Sequence, residues 1–214
     1  METKKNKTTE EAQVENLRLM GELDSFSFAI IDCSIVKVKE YLENQNYDYR
    51  ITYENIDIEK KYFDTMYLQP IKGTAKGLFY NPDIASNLTI VLGNGRGSWG
   101  TLCNNISANL LVNNIQITIN NENLDNIINQ IVIYDGKEIT RAVQGLLGDD
   151  DKMEFVQNGV PVWFENIDYY KKRKIIDRIN KTILIEYAYK LGIDLTSNDL
   201  FKAKGKSLYV ELYG

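Results

Sequence analysis

The segment from Val91 to Thr101, VLGNGRGSWGT, places four glycines between an apolar run (Leu88 to Leu92) and a stretch of helical character. Gly95 to Gly100 satisfies G-x-G-x-x-G. After a strand and before a helix, such glycines present backbone N–H groups and a helix N-terminus to a pyrophosphate. Glu122 stands where an acidic partner for a ribose is sought. The pattern therefore admits a nucleotide- or phosphate-binding enzyme or regulator built on Gly93, Gly95, Gly97 and Gly100. Against it, no βαβ continuation follows, Asn94 and Arg96 add nothing to the pattern, and the Gly-Lys-[Ser/Thr] of a Walker loop is absent. Glycine also serves wherever a chain must take positive φ. The balance favours a bend between packed elements, and no cofactor is expected.

Other clusters admit narrower chemistry. Asp149, Asp150 and Asp151 with Glu154 gather carboxylates near one turn. They miss the calcium pattern D-x-[DN]-x-[DN]-G, so a solvated turn or a contact with a basic partner is expected in place of a metal site. The sequence holds no histidine, which excludes His-dependent triads, His-bound zinc and imidazole bases. Cys33 and Cys103 form no C-x-x-C pair and read as buried, idle thiols. No pair of carboxylates is singled out for acid–base work, so no catalytic residue is assigned. Glu165, after the apolar run Val160 to Phe164, reads as a helix N-terminal cap. Lys171 to Lys174 read as the charged outer face of a helix.

A scaffold must position these groups. A chain of 214 residues is long enough for a full core, and 43% hydrophobic with 26% charged residues is ordinary for a globular protein. Residues 1–20 are polar and read as a flexible tail. Residues 21–214 read as a single α+β domain, or two closely packed subdomains, 21–87 and 88–214. Strands are predicted at Ser25 to Asp32, in the runs YDYRITY, YFDTMYLQP and GLFYNP, at Leu88 to Leu92, at Ile115 to Ile119 and in the final SLYVELY. Helices are predicted from Ser34 (as N-cap) to Asn44, around Ser98 to Val112, and over a long span from about Asn166 to Leu191, closed by Gly192. Asp135-Gly136 and Asn158-Gly159 each signal a hairpin. Hairpins outnumber crossovers, so the sheet is expected to be mainly antiparallel.

Several local patterns resemble a group of bacterial cytoplasmic proteins that includes immunity proteins of polymorphic and contact-dependent toxin systems. LTIVLGNG is similar to that group's strand running into a glycine, and NNISANL to its short helix. YDGKEITRAVQ matches a strand, an Asp-Gly turn and a return strand bearing Arg141. MEFVQNGVPVWFE followed by YYKKRKIIDRI places Gly159, Pro161, Glu165, Tyr169, Arg173, Asp177 and Arg178. Leu88 departs from the tryptophan expected there. The resemblance implies a non-enzymatic protein-binding module, an inhibitor that occludes a cognate toxin. A net charge of −5 disfavours nucleic acid and suits a basic protein toxin domain, with Asp149, Asp150, Asp151 and Glu154 as candidate contacts. No apolar run is long enough to span a membrane, and the N-terminus lacks a secretory h-region, so a cytoplasmic protein is expected.

Overall fold

Alternation of apolar and polar residues, interrupted by turns, builds one large sheet. The computed structural model describes residues 25–45, 49–67, 74–83, 87–94, 98–120, 128–148 and 152–213. Its strands are β1 (Ser25–Ile31), β2 (Tyr49–Glu54), β3 (Thr74–Tyr80), β4 (Thr89–Gly93), β5 (Asn114–Asn120), β6 (Ile128–Tyr134), β7 (Ile139–Leu147), β8 (Met153–Gly159) and β9 (Ser207–Tyr213). They form a nine-stranded sheet in the order β2-β9-β3-β4-β1-β5-β6-β7-β8. Every neighbouring pair is antiparallel. The fold is α+β, as the hairpin pattern predicts. The tail over residues 1–20 lies outside the described residues.

Helices cover both faces. On one face Phe28, Ile30, Leu78, Ile90, Leu92, Ile117 and Ile131 pack against α2 (Ile58–Tyr62) and α4 (Lys181–Lys190). On the other, Ala29, Ile31, Phe79, Val91 and Leu208 pack against α1 (Ile35–Glu43) and α3 (Ser98–Leu110). Strand β4, beside the central β1, is consequently buried on both sides along Thr89 to Leu92. Towards β8 the second face opens to solvent, and Val156 and Asn158 are exposed. Among the described residues no helix is long and apolar enough to cross a membrane.

One local expectation holds in position, and three others need correction. Ser34 takes the N-cap position of α1 without a side-chain bond, and the N–H of Ile35 instead donates to Asn81 Oδ1 at 3.4 Å. The run YFDTMYLQP is no strand in its described part: Asp57 caps α2, which continues into a π turn over Phe63–Tyr67. Ile58, Tyr62 and Met66, four residues apart, are the buried stripe there, a helical period that the tyrosines disguise. Asn158-Gly159 ends β8 and turns no hairpin; the β7–β8 connection lies at Gly148 to Lys152, where Gly148 N–H donates to Lys152 O at 2.8 Å.

The C-terminal helix is present but starts at Lys181, and the preceding chain forms short 3-10 turns at Tyr169–Lys171 and Ile175–Asp177. Glu165 and Tyr170 are bonded to each other, and residues five apart point to different sides of a helix. Asn180 supplies the real cap: it accepts from Ile183 N–H at 3.1 Å and donates to Ile176 O at 2.9 Å. Asn180→Ala is expected to lower stability by about 1 kcal/mol, read as a lower urea midpoint at unchanged slope. Leu191 and Gly192, the latter at φ +85°, close the helix as predicted.

Candidate functional site

Arg141 sits on β7 and points to the face covered by α4. Its side chain is 1% exposed, and that of Glu165, in the loop after β8, is 0% exposed. Arg141 Nη2 reaches Glu165 Oε2 at 2.6 Å and its Nε reaches Oε1 at 2.9 Å. Its Nη1 donates to the carbonyls of Asn158 (3.1 Å) and Gly159 (2.9 Å). Glu165 also accepts from Tyr170 Oη at 2.6 Å and from the Val162 N–H at 3.0 Å. Tyr187 of α4 donates to Tyr170 at 3.1 Å and accepts from the Asn166 N–H at 3.1 Å.

Burial pushes the Glu165 carboxyl up, but the hydrogen bonds from Arg141, Tyr170 and Val162, with the Arg141 charge, outweigh it and hold the group below its ordinary value. Burial likewise lowers Arg141, and the bond and charge of Glu165 carry it above normal. The Tyr170 hydroxyl is pushed strongly up, first by burial and then by its bonds to Glu165 and Tyr187. Both Glu165 oxygens accept at least two bonds. A carboxylate so occupied and enclosed offers no base to a substrate. The cluster is a clamp, and the helix-cap role expected of Glu165 is corrected accordingly.

What it clamps is the loop from Val160 to Ile167. Phe164 is buried, meets Tyr187 edge to face with ring centroids 5.8 Å apart, and its carbonyl accepts from Lys190 at 3.1 Å. Thus Phe164, Glu165 and Asn166 are each fastened to the body. Their neighbours face outward: Val160 is 80% exposed, Trp163 77% and Ile167 49%. Trp163 meets Phe164 edge to face at 5.5 Å. A tryptophan held in solvent on a rigid base is the type of group that anchors protein interfaces.

The glycine segment has a different structural purpose. A Cβ on Gly93 would overlap the indole of Trp99, and one on Gly77 would come within 2.6 Å of its far ring. Gly100 leaves room for Gln116, whose Oε1 would lie 2.8 Å from a Cβ there. Two glycines thus let the indole lie against the sheet and a third admits a glutamine. Gly95 and Gly97 lie outside the described residues. Asn94 anchors the strand end by accepting from Lys76 N–H at 2.7 Å.

Of the acidic group, Glu154 is exposed on β8, whereas Asp149, Asp150 and Asp151 lie outside the described residues. Lys171 to Lys174 are exposed, on turns in place of the helix face predicted for them. Cys33 and Cys103 are buried thiols; burial pushes them up to about 11 and about 12, leaving little thiolate at neutral pH. Arg141, Gly159 and Glu165, separate in the resemblance, come together in the clamp. Trp163 was missed because VPVWF reads as one apolar run. Its position between a proline and a carboxylate that must turn inward was the available signal. Comparison with protein-family models, curated proteins and solved structures gives no match.

Proposed function

We propose that this chain is a non-enzymatic protein-binding module of the immunity type, which occludes a basic toxin domain in the bacterial cytoplasm. The observation that carries the reading is Trp163, exposed between Val160 and Ile167 on a loop fastened at three consecutive residues. Holding an aromatic anchor in place before contact removes ordering cost from association. The loop follows β8, the edge of the sheet, where Glu154 is exposed. A net charge of −5 favours encounter with a cationic partner, and Asp149, Asp150 and Asp151 with Glu154 would supply rim contacts. The resemblance to immunity proteins supplies the class of partner.

The test is co-expression with a cognate toxin domain, sought first in the neighbouring gene, scoring survival and the affinity of the purified pair. Wild type is expected to neutralise the toxin. Trp163→Ala should weaken binding by about thirtyfold or more, the loss typical of an interface anchor, with an unchanged urea midpoint. Neutralisation by Trp163→Ala at wild-type strength would remove the loop from the interface. Failure of the wild-type chain to bind or protect would end the reading.

A further inference from the structure

Strand β8 ends the sheet, and among the described residues it bonds to β7 alone. Every residue from Val156 to Val160 is exposed, so no described residue lies over that margin. Sheet edges are ordinarily blunted by shortness, proline, lysine, a bulge or a cover, because their outer row of N–H and C=O groups recruits other strands. β8 has none of these devices. It runs for seven residues, MEFVQNG, without proline or lysine. Its register with β7 is unbroken from Leu147↔Met153 to Arg141↔Gly159, whereas β6 and β7 slip at Ile133 and Tyr134. The opposite margin, β2, exposes Arg50 and Glu54 near its two ends. β8 carries one charge, Glu154, and its middle residue, Val156, is 46% exposed.

The strand is also complementary to itself. A twofold axis at Val156 sets all of β8 against a second copy running antiparallel. Met153 then faces the partner's Gly159, Glu154 the partner's Asn158, Phe155 the partner's Gln157, and Val156 the partner's Val156. Shifting the axis to Phe155 or Gln157 pairs only residues 153–157 or 155–159. An axis between residues would oppose side chains of different faces, since they alternate along a strand. In the central register the one charge meets an amide, and no like charges face each other. Two valines cover one another, a favourable cross-strand pair. Pairing about a twofold axis closes on itself and leaves no β8 margin for a third chain.

We propose that two copies of this chain join through β8, continuing the sheet antiparallel across a twofold axis at Val156. The pairing does not rest on the protein-binding reading, and its test contains no toxin.

Sedimentation equilibrium of the purified full chain is expected to show a monomer–dimer equilibrium at micromolar to submillimolar concentration. Val156→Lys sets two like charges across the axis and should weaken association about tenfold or more. Val156→Cys should give a disulfide-linked dimer on mild oxidation. Directly opposed Cα atoms lie about 4.5–5.5 Å apart, within the span of a disulfide. Cys33 and Cys103 are buried and stay out of the reaction. Glu154→Cys alone should not cross-link, whereas Glu154→Cys combined with Asn158→Cys should. These cross-links keep the test valid if Val156→Lys fails to fold. A monomer at submillimolar concentration overturns the proposal. So does a dimer that Val156→Lys leaves intact, or a Glu154→Cys cross-link as fast as that of Val156→Cys. Open-ended assembly, which would enlist another surface, overturns it as well.

Discussion

Glu165→Gln is expected to lower stability by about 3–5 kcal/mol, because it leaves the buried Arg141 charge without its counter-ion. For a chain of this size that is a fall in Tm on the order of 10 °C. The pH dependence has a definite sign. The folded Glu165 carboxyl lies below its ordinary value, so its contribution is fully present above the unfolded pKa of about 4.3 and is lost as pH falls through the folded value. Stability of the wild type should therefore drop more steeply in acid than that of Glu165→Gln, and the two curves should converge at low pH. Parallel curves would mean that Glu165 is not titrating with unfolding. Replacing both partners, Arg141→Met with Glu165→Leu, should restore part of the loss, since a buried pair is often matched by apolar groups. The Asn158 and Gly159 carbonyls would still lose their donor, so recovery should be incomplete and the Trp163 loop looser. Acrylamide quenching and hydrogen exchange over residues 160–167 read that loosening directly.

Gly159→Ala should be nearly as damaging, by about 2–5 kcal/mol, summing a backbone overlap of about 1–3 and a left-handed penalty of about 1–2. Gly159 pairs with Arg141 at φ +81°, and a Cβ there would overlap the Thr140 carbonyl oxygen and lie 2.9 Å from its carbon. The obstacle is backbone of the adjoining strand, which cannot rotate away. Gly205 has the same φ, with nothing within 4 Å of the Cβ position. Gly205→Ala is therefore the internal control and should show only the left-handed penalty. Chemical unfolding of both variants separates the terms; equal losses would discard the overlap argument.

The large-scale architecture was legible because it rests on local signals. Asp135-Gly136 turns where predicted, and Asp135 Oδ1 accepts from the N–H groups of Lys137 and Glu138 at 2.9 and 3.0 Å. The apolar alternation of Ile115, Ile117 and Ile119 marks β5. Long-range demands were invisible. Nothing in YYKKRKIID announces that Tyr170 must reach back to Glu165, and that contact breaks the helix which the isoleucine period suggests. Asn158-Gly159 has the composition of a turn, yet Gly159 is needed for a close strand approach. The glycine run matched a nucleotide motif by type, while Gly93 and Gly77 answer to the bulk of one indole. The clamp was half visible: Arg141 and Glu165 were each marked, but their pairing depends on the register of β7 with β8.

The sheet order also dictates the sequence of events during synthesis. β9 lies between β2 and β3, and among the described residues it is the only strand to which β2 is bonded. Until the ribosome has made β9, β2 has no partner and β3 keeps one edge open, although β1, β4 and the β5–β8 meander are already complete. Unpaired edges of this kind recruit other chains. The nascent protein thus passes through a stage that is nearly finished yet adhesive, and a chain truncated before Ser207 should give a larger aggregated fraction than the full chain.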